Sequence, residues 1–201
     1  MRTLIGDQRG ASAAEFALVL PLLLIVLFGT IDVGRYAWSL SQAEKATQIG
    51  ARWAVATDMV ASGLYSYSFA TSGGVPQGTT VNATAFPGIV CQSSGGAASC
   101  TCTAACSFPT TANNTAFTNL VTRMAQIYPG LTANNVVVTY AWSGLGFAGD
   151  PNGPDVAPLT TVSLRGLNYT PFSAFVFGGP LTLPSFAYTL PMEDGSGTSS
   201  N

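Results

Sequence analysis

The sequence predicts an α+β protein. A long N-terminal transmembrane and amphipathic helix leads into a small antiparallel β-sheet domain with one further helix. Three observations carry this. Phe16–Ile31 is apolar and uncharged, and helical periodicity continues beyond it to about residue 58. Residues 115–128 repeat apolar side chains at helical spacing. Three β-rich stretches follow in the C-terminal part.

Composition narrows the functions open to such a chain. With 201 residues there is room for one domain, or for one small domain and an appendage. Seven basic and nine acidic residues leave a net charge of −2, without the basic stripe that nucleic acid requires. There is no histidine, so no Ser-His-Asp triad, Cys-His dyad or histidine metal site can be built. No carboxylate pair stands out as acid and base, and no glycine-rich phosphate loop is present. An enzyme is not expected, nor is a cofactor.

The N-terminal run comes first. About 20 helical residues cross a bilayer core. Residues 14–34 give an approximate span of that length, and Arg2 and Arg9 before it favour a cytoplasmic N-terminus. Tyr36 and Trp38 follow, where interfacial aromatics belong. A cleaved secretory signal needs a small-x-small site soon after the apolar core. Ala54-Val55-Ala56 fits that pattern but lies too far downstream. An uncleaved anchor is the other simple reading. Neither accounts for Glu15, a carboxylate at the mouth of an apolar segment, which costs free energy unless it is paired.

The same helix should extend from Ala11 to about Ala56, on the order of 70 Å. Pro21 lies inside it and predicts a local kink. Ala43, Ala46, Gly50, Ala54 and Thr57 recur at three- and four-residue spacing and form a small-residue stripe. Such a stripe serves close approach to a neighbouring helix, or packing against the chain's own body. Glu44, Gln48 and Arg52 form an i,i+4 ladder on another face.

In the body, residues 59–192, the stretch Ser62–Asn82 reads as loop with short strands. No charged residue occurs between Asp58 and Arg123. Phe117, Leu120, Val121, Met124 and Ile127 share one face of the helix predicted at 115–128, which Pro129-Gly130 ends. Strands are expected over Asn134–Trp142, Leu159–Tyr169 and Leu181–Pro191. Pro184 places the last at an edge or splits it. Arg123 and Arg165 read as solvated or capping. Residues 193–201 read as a flexible tail.

Cys91, Cys100, Cys102 and Cys106 lie close together. Their spacing lacks the paired C-x2-4-C knuckles of zinc sites, and an exported segment favours disulfides. A Cys100–Cys102 ring is too tight. Cys91–Cys102 with Cys100–Cys106, or Cys91–Cys100 with Cys102–Cys106, would each staple a Gly/Ser-rich loop. Asp150, Asn152 and Asp155 could supply oxygen ligands to calcium, but the full binding loop is absent. Pro-Asn-Gly is a turn signal in its own right.

Gly10-Ala11-Ser12-Ala13-Ala14-Glu15-Phe16 resembles the processing site of type IV prepilin-like proteins. That resemblance implies cleavage between Gly10 and Ala11 by a membrane peptidase, after a leader of residues 1–10. It also implies an assembly role for Glu15 and Phe16, with Glu15 pairing with the N-terminal amine of a neighbouring subunit. The longer stretch resembles the TadE-like family, minor pilins or pseudopilins of the tight-adherence (Tad/Flp) pilus system. The matching features are Glu15-Phe16, Pro21, Phe28-Gly29, an acidic residue at Asp32, Gly34-Arg35, Ala43 and the GARWA stretch from Gly50. Asp32 stands where glutamate is more common in the family.

The resemblance implies a pilin-like plan: leader 1–10, N-terminal helix 11–58, extracytoplasmic domain 59–192. It also implies a single-pass protein of the bacterial inner membrane with a periplasmic or extracellular C-terminal domain. Its partners would be a prepilin-type peptidase, other pilin or pseudopilin subunits and the Tad assembly platform. The alternative is a membrane-anchored extracytoplasmic binding or structural module that never enters a filament.

Overall fold

The computed structural model describes residues 10–93, 95–174 and 178–199. Arg2, Arg9 and the leader before Gly10 lie outside the described residues, as do the last two residues of the tail. In chain order the elements are α1 (Ala11–Ala56), α2 (Ser62–Tyr65), β1 (Ile89–Ser93), β2 (Ala98–Cys102) and α3 (Asn114–Ala125). A 3-10 turn at Ala133–Asn135 leads into β3 (Val136–Ala141). Then come β4 (Leu159–Leu164), β5 (Asn168–Tyr169), β6 (Leu181–Thr182) and β7 (Phe186–Pro191). The α+β layout read from the sequence is the one observed.

The chain forms two compact units. One holds α1 as far as Leu40 together with Asn168–Thr182. The other holds Ser41–Leu167 and the chain from Leu183 onward. In the second unit, five antiparallel strands lie in the order β2-β1-β3-β4-β7. Strand alternation sends every second side chain inward. Ile89 and Cys91, Val136, Val138 and Tyr140, and Val162 and Leu164 are fully buried in register with one another. The Tyr140 hydroxyl accepts from the Val60 N–H at 3.0 Å, which ties the sheet to the chain just beyond α1. Burial pushes this phenol's pKa up, so it stays a neutral phenol.

The small-residue stripe belongs to this core. Ala43 and Ala46 are fully buried, and Gly50, Ala54 and Thr57 are buried as well. A Cβ on Gly50 would lie 2.6 Å from Met124 Sδ, so a side chain there would have to push the Met124 side chain aside. The Thr47 and Thr57 hydroxyls donate back to the carbonyls of Ala43 and Trp53, so burying them leaves no orphaned donor. The stripe is thus used within the chain. On the polar side, Gln48 Nε2 donates to Glu44 Oε1 at 3.4 Å.

α3 starts where Asn113 caps it, its side chain accepting from the Ala116 N–H at 3.1 Å. Arg123 is not merely solvated: it donates to Gln126 Oε1 at 2.8 Å, and its guanidinium lies 5.9 Å from the Trp53 ring centre. The strand expected at Leu159–Tyr169 is broken after Leu164, where Gly166 turns the chain with φ +63°. Pro184 splits the last strand into β6 and β7, and β7 forms a sheet edge. Pro21 sits inside α1, which remains helical on both sides.

Three expectations need correction. Ser62–Asn82 contains the short helix α2 and turns, with no strand among its residues. Its Ser, Asn and Gly residues close local turns instead, as where Asn82 Oδ1 accepts from the Thr84 and Ala85 N–H groups. The cysteine-bearing stretch is not simply a stapled loop, because β1 and β2 pair across it as a hairpin. The tail is held as far as Gly197. The Val55 carbonyl, free at the end of α1, accepts from the Glu193 and Asp194 N–H groups at 3.2 Å. Gly197 then exchanges two bonds with Asp58, at 2.8 and 2.7 Å.

The turn after α1 leaves no room at Gly63. A Cβ there would collide with the Pro109 carbonyl, and the Gly63 N–H is held by the Thr111 carbonyl at 3.1 Å. Gly63→Ala should therefore cost about 1–3 kcal/mol, the usual range for overpacking. Denaturant titration of the full chain in detergent, beside the wild type, measures it.

Candidate functional site

The N-terminal end of α1 offers the first candidate. Ala11, Glu15 and Phe16 are all exposed, Phe16 to 65 %. Glu15 makes no hydrogen bond or ion pair among the described residues. From Phe16 to Ile31 most of the large apolar side chains stand exposed, Leu18 to 81 %. The helix is long and apolar enough to cross a membrane, and little of that stretch is buried by the chain itself. Thr30 satisfies its hydroxyl by donating to the Leu27 carbonyl at 2.8 Å, as a polar group in an apolar medium requires.

The second candidate lies at the far end of the apolar run. Asp32, Arg35 and Tyr36 fall at i, i+3 and i+4, so α1 presents them on one side. Asp32 is buried although it sits on an otherwise exposed helix. Its Oδ1 accepts from the Phe172 N–H at 2.7 Å. Its Oδ2 accepts from the Ser173 N–H at 2.8 Å and from the Ser173 hydroxyl at 2.7 Å. The Tyr169 hydroxyl is shared between Oδ1 at 3.3 Å and the Asp32 carbonyl at 3.2 Å. One carboxylate therefore clamps the loop that starts at β5 onto the helix.

Aromatic contacts close the clamp. The Tyr36 and Tyr169 rings meet edge to face at 5.6 Å. The Arg35 guanidinium stands 4.2 Å from the Phe172 ring centre and 5.7 Å from that of Tyr169. Burial pushes the Tyr169 phenol pKa up, with Arg35 opposing and Asp32 adding to the rise, so the hydroxyl remains a donor. β5 pairs with β6, which closes the loop at its base. Beside the clamp is a largely apolar cleft of about 580 Å³. Gly29, Val33 and Tyr36 line it from the helix, and Pro171, Pro180 and Leu181 from the loop.

The other predicted residues lie elsewhere. Cys91 pairs with Cys100 across the β1–β2 hairpin, at directly opposed positions with Cα atoms 4.0 Å apart. Cys102, the last residue of β2, pairs with Cys106 in the chain that follows. This is one of the two connectivities that the spacing left open. Asp155 uses its carboxylate to fold its own surroundings: Oδ2 accepts from the Phe69 N–H at 2.6 Å, and Oδ1 from the Asp150 N–H at 3.1 Å. Asp150 Oδ1 in turn accepts from the Asn152 N–H at 2.9 Å. These are turn-closing bonds within the chain.

Sequence reasoning singled out Asp32 and Gly34-Arg35 only as points of likeness. It missed Tyr169, Phe172 and Ser173 altogether. The available signal was a second carboxylate at the border of the apolar run, which raises the same question as Glu15.

The helix residues of both candidates lie in a segment that matches a known family. Residues 10–52 match the family model of TadE-like proteins. The match begins at Gly10 and takes in Glu15, Asp32, Arg35 and Gly50. Over this segment the chain is similar to TadE-like proteins. No curated protein and no solved structure matches the chain.

Removing the clamp's acceptor strands the Phe172 and Ser173 N–H groups and the Ser173 hydroxyl at once, while the Tyr169 hydroxyl keeps the Asp32 carbonyl. Asp32→Ala should raise amide exchange at Phe172 and Ser173 by roughly tenfold or more, the amount expected when local protection is lost. Exchange within β3 and β4 should stay as in the wild type. Hydrogen-exchange mass spectrometry reads both regions in one experiment.

Proposed function

We propose that this protein is a minor pilin or pseudopilin of a Tad-type pilus. α1 inserts with its N-terminus in the cytoplasm, and a prepilin-type peptidase cuts after Gly10. The mature chain then enters the pilus through its N-terminal helix, beside other pilin or pseudopilin subunits on the Tad assembly platform. The C-terminal domain lies in the periplasm or outside the cell. The chain is the peptidase's substrate, and TadE-like proteins are not an enzyme family.

The observation that carries this reading is the TadE-like match over residues 10–52, which starts at Gly10 and includes Glu15. Two features of the fold support it. Glu15 finds no partner among the described residues, so a neighbour's terminal amine is a natural one to offset its burial. The small-residue face beyond Ser41 is already occupied by the chain's own core. Helix–helix assembly therefore falls to the exposed face between Ala11 and Ile31. The size of the body argues for a minor role, since major Tad pilins are far shorter.

The mass and N-terminal sequence of the protein from its native membrane test the processing step. The expected start is Ala11. An intact leader would instead make the protein an anchored extracytoplasmic module. Glu15→Ala should insert normally yet fail to support pilus assembly, scored by electron microscopy of complemented cells. Normal piliation by that variant would overturn the assembly role.

A further inference from the structure

The proposed function leaves the Asp32 clamp without a task. Its depth along the helix suggests one. At about 1.5 Å per residue, the residues from 14 to 34 cover roughly 30 Å, the thickness of a bilayer's hydrocarbon core. Asp32 lies within one turn of the far end of that span. The loop tied to it is thus held at the level where hydrocarbon gives way to headgroups.

Irregular backbone at that depth needs its polar groups satisfied from within the protein. Asp32 does this, accepting the Phe172 and Ser173 N–H groups and the Ser173 hydroxyl. With those groups satisfied, apolar side chains beside them face outward: Phe172 is 57 % exposed and Leu181 51 %. They continue the exposed apolar surface of α1, whose Ile31 and Val33 are 41 % and 70 % exposed. Arg35 lies over Phe172, Tyr36 packs on Tyr169, and the exposed Trp38 follows two residues later on α1, the residue types that sit at membrane interfaces.

We propose that this loop is a second membrane contact. Phe172 and Leu181 insert at the lipid interface beside the end of the α1 span, and lipid acyl chains fill the cleft between Val33 and Leu181. The Asp32 carboxylate makes this possible by accepting the N–H groups of Phe172 and Ser173. The proposal rests on the reading of α1 as a membrane span.

Site-directed spin labelling separates the two claims. Phe172→Cys, Leu181→Cys, Leu22→Cys and Thr118→Cys are made singly in the full chain, with both native disulfides intact. Each is labelled and reconstituted into phosphatidylethanolamine/phosphatidylglycerol bilayers. Collision with oxygen, which concentrates in lipid, is compared with collision with a water-soluble nickel chelate. Oxygen should dominate at positions 22, 172 and 181, and nickel at 118. Nickel dominating at 172 and 181 while oxygen dominates at 22 would overturn the lipid contact and leave the span standing. Low collision with both reagents at 172 and 181 would mean that a protein neighbour covers the loop, which also overturns it. Nickel dominating at 22 as well would remove the span and the proposal together.

Discussion

One helix must satisfy two environments, and much of the structure follows from that constraint. The first part of α1 carries large apolar side chains that its own chain leaves uncovered. The last part carries a stripe of alanine, glycine and threonine that is buried. A helix closes its own backbone hydrogen bonds, so it can pass from one medium to the other without breaking. The side chains change character instead. Where Leu, Ile and Val dominate, the helix is suited to lipid. Where the stripe from Ala43 to Thr57 takes over, it accepts α3 at close range, as at Gly50 against Met124.

Each transition along this helix is marked by a carboxylate, and the two are treated in opposite ways. Glu15 stands exposed with no partner among the described residues. Asp32 is buried under four hydrogen-bonding contacts to its side chain, all from residues 169–173. An apolar medium tolerates a charge only when it is paired or fully bonded. Asp32 meets that condition within its own chain. In the proposed function, Glu15 meets it at the terminal amine of a neighbouring subunit. The two ends of the span thus divide their work, the first left open and the second closed by the β5–β6 loop.

The body shows how a domain of low charge is held together without ion pairs among the described residues. Side-chain oxygens do much of that work. Asp155 gathers the N–H groups of Phe69 and Asp150, and Asn135 bonds the carbonyls of Arg165 and Gly166. Two disulfides secure the hairpin region, where Gly and Ser offer little to bury. The chain after β7 returns to the carbonyl end of α1 and satisfies groups that a helix end leaves open.

The sequence by itself determined whatever depends on local periodicity and local chemistry. The extent of α1, the helix near 114–125, the cores of β3, β4 and β7, and the break at Pro184 all follow from patterns a few residues long. So does the likeness of residues 10–52 to TadE-like proteins, carried by Glu15-Phe16, Pro21 and Asp32 in fixed order. Tertiary structure alone decided how distant residues pair. The β1–β2 hairpin was hidden because only Ile89 and Val90 give β1 a strand signal, β2 buries only small residues, and its pairing depends on β3 beside it. The stripe's occupant became clear only when Met124 was seen against Gly50. The role of Asp32 depends on Tyr169, Phe172 and Ser173, more than 130 residues away. No local pattern encodes a contact at that separation, because the cost of closing such a loop is met by the whole fold.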